Sequence, residues 1–504
     1  VGTSGCKVIA INEEGQVIAR AEQPYPTRYP RPGWAEQNPE EWYQAACLAI
    51  RACLLNGNAD PRNIAAISVD GPAHNVALLN AAGQVLYPTI HWSDLRSLSQ
   101  CEVLKVKHGD QIFEITYQQV NPSWTLAQLM WLKENEPGIW SNLRRILVTK
   151  DYVRYRLTGS YLTDPYDAVG TQLFDIQAGR WSPELCGILG IDPGWLPPVL
   201  SAEAIAGELL PEPSLETGLR AGIPVAVGSG DSVVEAFGAG VVNPGQCIVK
   251  IASAANVDLV TAQPLPTFKT ITYPHIIKDR WFSITATNSG ASTIRWFRDI
   301  FCRYEVTQAP GQYARAFEQI DTLAAGVPPG CEGLLFHPYL MGERSPYWDP
   351  LLRGDFVGIT AHHKAQHFAR AVLEGVAFSV RDCSIVIEEL GQPVTERWLI
   401  GGGAKSRLWR QIFCDVLGKP LHKPAIEDAA FGAALLAGVS IGYFPDWDTA
   451  VRNSIRIEET IQPNSDVHEL YNEYFEIYRS ITRDLAPNSR RLAKFAGLNQ
   501  IEET

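Results

Sequence analysis

Short apolar runs alternate with Gly-containing turns through the first ninety residues. "KVIAINEEGQVIARA" reads as strand, turn and strand, with Val8 to Ile11 the first apolar run. "HNVALLNAAGQVLYP", from His74 to Pro88, repeats that plan. Between the two hairpins lie a helical stretch, Glu40 to Leu55, and a strand, Ile64 to Val69. Thr125 to Asn135 is predicted helical, with Pro137 just beyond its end. "IPVAVGSGDSVVEAFGAGVV" reads as a buried strand, a Gly-rich turn and a helix. The "NPGQ" turn, Asn243 to Gln246, then marks a domain boundary. Beyond it "CIVKIASAANVDLV" restarts the strand, small-residue turn, strand plan, so the second half echoes the first. "RWLIGGGAKSRLWRQIFCDVLG" is strand, Gly-rich turn, helix, and "AFGAALLAGVSIG" is a helix of small residues suited to close packing on a sheet. Mixed strands and helices predict α/β architecture, divided here into residues 1–243 and 244–504.

At 504 residues the chain exceeds one core. With 46% hydrophobic and 19% charged residues it is globular. A net charge of -12 disfavours nucleic acid and anionic membrane surfaces, and leaves a locally positive anion site open. No apolar run reaches the roughly 18 residues of a membrane helix. The ten cysteines are scattered, without a C-x-x-C pair or a zinc-like Cys/His spacing, which suits buried thiols in a reducing cytoplasm.

Three Gly-rich turns are candidates for anion binding: Gly2-Thr3-Ser4, Gly228-Ser229-Gly230-Asp231 and Gly401-Gly402-Gly403. The first is equally compatible with an ordinary turn. "LIGGGAKS" places Leu399 and Ala404 where a P-loop needs glycines, and Val233 breaks the dinucleotide pattern after Gly228 and Gly230. Asp231 reads either as a helix N-cap or as a general base facing a cleft. His74 reads either as a satisfied structural group or as a ligand contact. Asp94 and Arg96 in "HWSDLR" read as a surface ion pair.

Together these pieces resemble the FGGY family of carbohydrate kinases over nearly the whole chain. The most specific match is "GDFVGITAHHKAQHFARAVLE". It resembles the family's C-terminal signature at Gly354, Phe356, Gly358, Ile359 and, after a seven-residue gap, His367, Phe368, Ala371, Val372, Leu373 and Glu374. "PYLMGERSPYWDP" is similar to the family's GER-[ST]-P loop, and "RPGWAEQNPEEWY" and "PTIHWSDLR" to its pentulose-kinase branch.

The resemblance implies two ribonuclease-H-like (actin-like ATPase) α/β domains around a central cleft, and transfer of the γ-phosphoryl group of ATP to a sugar hydroxyl. Carried over by residue, Gly2, Thr3, Ser4 and Lys7 match the first phosphate motif and Ser253 the second. Ala73 and His74 match the sugar-contacting pair. Asp231 matches the catalytic base, which also serves the metal, and Ser232 its sugar-binding neighbour. Gly402, Gly403 and Arg407 match the adenosine motif. The implied cofactors are ATP and Mg²⁺. The implied partners are a small sugar and ATP, with neither nucleic acid nor membrane, and with a homodimer left open. D-xylulose, giving D-xylulose 5-phosphate, is the expected substrate; ribulose, L-xylulose, gluconate, erythritol and a non-catalytic sugar-binding relative are the alternatives.

Four positions depart from the family pattern. The family's opening D-x-G-T-[ST] implies an Asp immediately before Val1. Ala252-Ser253-Ala254 stands where G-T-S is usual, Gly71-Pro72-Ala73-His74 where xylulokinases have G-Q-M-H, and Ser232 where Asn is usual.

Overall fold

The computed structural model describes residues 1–301 and 313–495. Its tertiary contacts divide the chain into two compact units. Unit 1 comprises Val1–Val242, Ala262–Phe282 and Ile426–Ile455; unit 2 comprises Asn243–Thr261, Ser283–Ala425 and Arg456–Thr504. The first break falls at the predicted turn, where Gln246 N–H donates to Asn243 O at 3.0 Å. Two later stretches return to unit 1, so neither unit is one continuous segment.

Unit 1 opens on the expected hairpin, Gly5–Ile11 antiparallel to Val17–Pro24. Its turn is organised by Asn12, whose Oδ1 accepts from the Glu14 and Gln16 amides at 3.1 and 2.8 Å. The predicted helix forms as Pro39–Asn56. Asn38 caps it, Pro39 fills the first position where an amide is dispensable, and Trp42, Ala45, Ala46, Ala49 and Cys53 bury one face. The second hairpin, Val76–Leu79 with Val85–Tyr87, gains Arg145–Val148 on its other side. Thr125–Asn135 is helical as predicted.

Two expectations fail here. Ile64–Val69 forms no strand. Ile67 alone bridges Val225, exchanging bonds of 3.0 Å to Pro224 O and 2.8 Å from Ala226 N–H, and no second pair extends a ladder. Asp94 and Arg96 are not a surface pair, because both side chains are fully buried, 2.8 Å apart. Asp94 also accepts from Ala35 N–H at 2.5 Å, and Arg96 stacks over Trp34 at 3.7 Å and pairs with Glu36 at 2.9 Å. The "RPGWAEQ" segment thus folds over "HWSDLR", and a charge pair becomes an interior clasp.

Unit 2 is built on six successive strands of a seven-stranded sheet, in the order Trp281–Thr287, Ala255–Thr261, Gln246–Ile251, Glu396–Ile400, Leu421–Pro424, Ile457–Ile461. The long helix Ala365–Glu388 is buried along most of its length. Within it the signature residue Glu374 pairs with Arg370 at 2.6 Å and accepts from Tyr471 Oη at 2.7 Å and Gly330 N–H at 3.2 Å. Burial pushes its carboxyl upward against these bonds. That signature residue therefore serves the scaffold. The nine cysteines among the described residues are buried and unpaired; Cys302 lies outside those residues. Among the described residues no helix is long and apolar enough to cross a membrane.

Candidate active site

In unit 1 the short strand Ser229–Gly230 pairs in parallel with Asp70–Gly71, in the register Ser229↔Asp70 and Gly230↔Gly71. The chain reaches it through Gly228, at φ +75°, where a Cβ would collide with the Val69 carbonyl oxygen. The helix Asp231–Gly238 follows directly. Gly230 takes the N-cap position, and Asp231 is the first helical residue. The N-cap reading of Asp231 therefore falls: its half-buried carboxylate stands one residue inside the helix. Its neighbour Ser232 donates from Oγ to Asp231 Oδ1 at 3.3 Å.

His74 stands near Asp231, whose charge acts on its ring. Its Nδ1 lies 3.0 Å from Gly170 O. A carbonyl can only accept, so Nδ1 carries the proton and Nε2 presents a lone pair. Tyr273 Oη faces that lone pair at 3.5 Å, a long bond that another hydroxyl could replace. Burial lowers the imidazole to about 4, against the opposing pull of Gly170 O and Asp231, so His74 is neutral at pH 7. The Trp124 ring meets it edge-on at 4.2 Å, and Tyr166 stacks on Tyr273 at 4.3 Å. Ala73 is buried, its methyl and carbonyl packed against Gly170.

The opening turn spends its carbonyls inward. Tyr25 Oη donates to Gly2 O, Gln37 Nε2 to Thr3 O at 2.8 Å, and Tyr25 N–H to Ser4 O at 3.2 Å. The Thr3 and Ser4 side chains stay exposed. Lys7 pairs with Asp428 at 3.5 Å, and Asp428 caps the helix Ala429–Ser440. The sequence reading missed Asp70 and Asp428. Asp70 is buried, and burial together with repulsion from Asp231 and Asp428 pushes its carboxyl upward. Its signal was present in "SVDGPAH", two residues before the proline that fixes the turn.

Unit 2 brings the remaining residues together. Gln246–Ile251 and Glu396–Ile400 are adjacent parallel strands, with Lys250 opposite Ile400. Ser253 and Gly401-Gly402-Gly403 follow their C-terminal ends, the edge where open α/β sheets bind ligands. Gly401, at φ +95°, passes so close to Ile251 that a Cβ would stand 2.7 Å from its carbonyl oxygen. Gly402 is exposed with open space around it, Gly403 is buried, and Arg407 is exposed at the start of the helix Arg407–Leu417. Ser253 Oγ accepts from Arg295 at 2.8 Å, an exposed cation that the sequence reading did not single out.

The N-terminal-domain model of the FGGY family of carbohydrate kinases matches residues 1–238, and its C-terminal-domain model residues 254–441. The chain is 33% identical to a xylulose kinase of Bacillus subtilis over 96% of each chain. It is 28% identical to a gluconokinase of the same species over 98% of this chain and 97% of that one. Among solved structures, a xyloylose kinase from Brucella ovis aligns at a TM-score of 0.86 and 31% identity, covering 96% of this chain and 98% of that one. The expected fold is borne out: both domains are of the ribonuclease-H-like, actin-like ATPase type. A match over both domains and nearly the full length places the chain in the FGGY family of carbohydrate kinases.

Proposed function

We propose that this chain transfers the γ-phosphoryl group of ATP to a pentulose, D-xylulose first, giving D-xylulose 5-phosphate. Asp231 acts as the general base: its carboxylate accepts the proton of the attacking sugar hydroxyl as that oxygen bonds to phosphorus and ADP leaves. His74 accepts a sugar hydroxyl at Nε2, with Ser232 and Ala73 at the same subsite. Gly2, Thr3, Ser4 and Lys7 serve the phosphates of the nucleotide, as does Ser253, and Gly402, Gly403 and Arg407 serve its adenosine. Mg²⁺ bound with the phosphates would neutralise the charge on the transferring group, and the hard carboxylate oxygens of Asp231 and neighbouring Asp70 fit such an ion.

The observation that carries this reading is Asp231 itself, a half-buried carboxylate at the first position of a helix whose N-cap is Gly230. The xylulose kinase relatives support the choice of sugar. The gluconokinase relative supports gluconate as the second reading. The test is ATP turnover over a panel of D-xylulose, ribulose, L-xylulose, gluconate and erythritol, for wild type and Asp231→Asn. D-xylulose should give the highest kcat/KM, and Asp231→Asn should lower kcat by roughly 10²- to 10⁴-fold. A variant retaining more than about a tenth of wild-type kcat, short of that range, would remove Asp231 from catalysis. Faster turnover of gluconate would replace the substrate.

A further inference from the structure

Beneath the strand that leads to Asp231 lies a buried charge cluster that the proposed chemistry does not use. Lys150 Nζ pairs with Asp151 at 2.6 Å, with Asp164 at 3.0 Å and with Asp167 at 3.0 Å. Arg154 pairs with Asp151 at 2.7 Å. No side chain of the five is more than 2% exposed.

From this cluster, ties run to the residues in front of Asp231. Arg154 donates to Val227 O at 2.6 Å. Ser229 Oγ donates to Asp164 Oδ2 at 2.6 Å. Asp167 Oδ1 lies 3.1 Å from where a Cβ on Gly230 would stand. Three of the four residues before Asp231 are therefore held against the cluster. The helix Pro165–Gly170, which carries Asp167, ends on the carbonyl that accepts from His74 Nδ1–H, and Asp164 caps its start.

We propose that the Lys150 cluster is a positioning device for the phosphoryl-transfer site, with Lys150 as the hub that holds the strand bearing Asp231 and the helix end bearing the His74 acceptor in one geometry. This rests on the roles proposed above for Asp231 and His74.

Charge counting adds one property. Three carboxylates face two cations in a site without solvent, and an uncompensated buried charge is costly. The cluster therefore holds one proton. Asp167, whose oxygens meet no donor but Lys150 Nζ, is its holder. Burial, with repulsion from Asp164 and Asp151, pushes its carboxyl well above the usual range.

The test is Ser229→Ala, which removes one tie and leaves every charge in place. It should fold with a Tm within about 3 °C of wild type, as expected for losing one hydrogen bond in a large protein. Its kcat should fall roughly tenfold to a hundredfold, the scale of a base displaced by a fraction of an ångström to one ångström. The ATP KM should not move. A folded Ser229→Ala with kcat within twofold of wild type, or a loss of activity only in step with a lower Tm, overturns the proposal. Should Ser229→Ala not fold, Arg154→Lys keeps the charge count, cuts the bond to Val227 O and is judged by the same criteria. Asp231→Asn in the same assay separates the two readings. Loss there with an unchanged Ser229→Ala sinks the positioning role alone, whereas full activity of Asp231→Asn overturns both.

Discussion

Replacing His74 by Ala tests the sugar subsite through two independent readouts. In the native protein the imidazole is held neutral, with a proton on Nδ1 bonded to Gly170 O at 3.0 Å and its ring against Trp124. Removing it leaves that carbonyl without its partner and loses the edge-on contact, together about 2–4 kcal/mol at pH 7. Acid should shrink that difference. The folded His74 is lowered from 6.5 to about 4, so below pH 6.5 the unfolded chain takes up a proton that the native state refuses. Wild-type stability from this group is complete above pH 6.5 and is lost as pH falls toward 4. The gap between wild type and His74→Ala should therefore narrow by about 2 kcal/mol between pH 7 and pH 5. Urea denaturation followed by tryptophan fluorescence over that range measures it. In turnover assays the sugar KM should rise about tenfold, the worth of one neutral hydrogen bond, with the ATP KM unchanged. Parallel stability curves at every pH would show that His74 is not held neutral by burial. Equal effects on both KM values, or none, would return it to a purely structural role.

Two further outcomes follow from single contacts. Asp167→Asn should gain stability relative to wild type as pH rises from 5 to 8. The native Asp167 keeps a proton that the unfolded chain releases, so wild type weakens with rising pH while Asn cannot ionise; a Tm difference constant with pH would mean that Asp167 is charged in the fold. Arg295→Ala, which removes the cation 2.8 Å from Ser253 Oγ, should raise the ATP KM about tenfold and leave the sugar KM alone; an unchanged ATP KM would detach the Ser253 turn from the phosphates.

Local features were legible from the chain alone. The hairpins at 5–24 and 76–87, the helices at 39–56 and 125–135, and the Gly-rich turns at 228–231 and 401–403 all follow from side-chain periodicity and turn chemistry, which act within a few residues. A carboxylate at the end of an apolar strand was visible for the same reason. What that carboxylate does was not, because Asp is as good at a cap as in catalysis; only the backbone, with Gly230 as the cap and Asp231 one residue inside, removes the cap reading. Burial of charge was equally hidden. Asp94–Arg96 and the Lys150 cluster carry the same letters as surface pairs, and only the segments folded over them remove the water. Lys7 with Asp428 and His74 with Tyr273 are hundreds of residues apart in sequence, and packing alone brings them together. The chain specifies its elements through short-range preference, whereas the chemistry of its site depends on long-range contact and on the loss of solvent, which no local window contains.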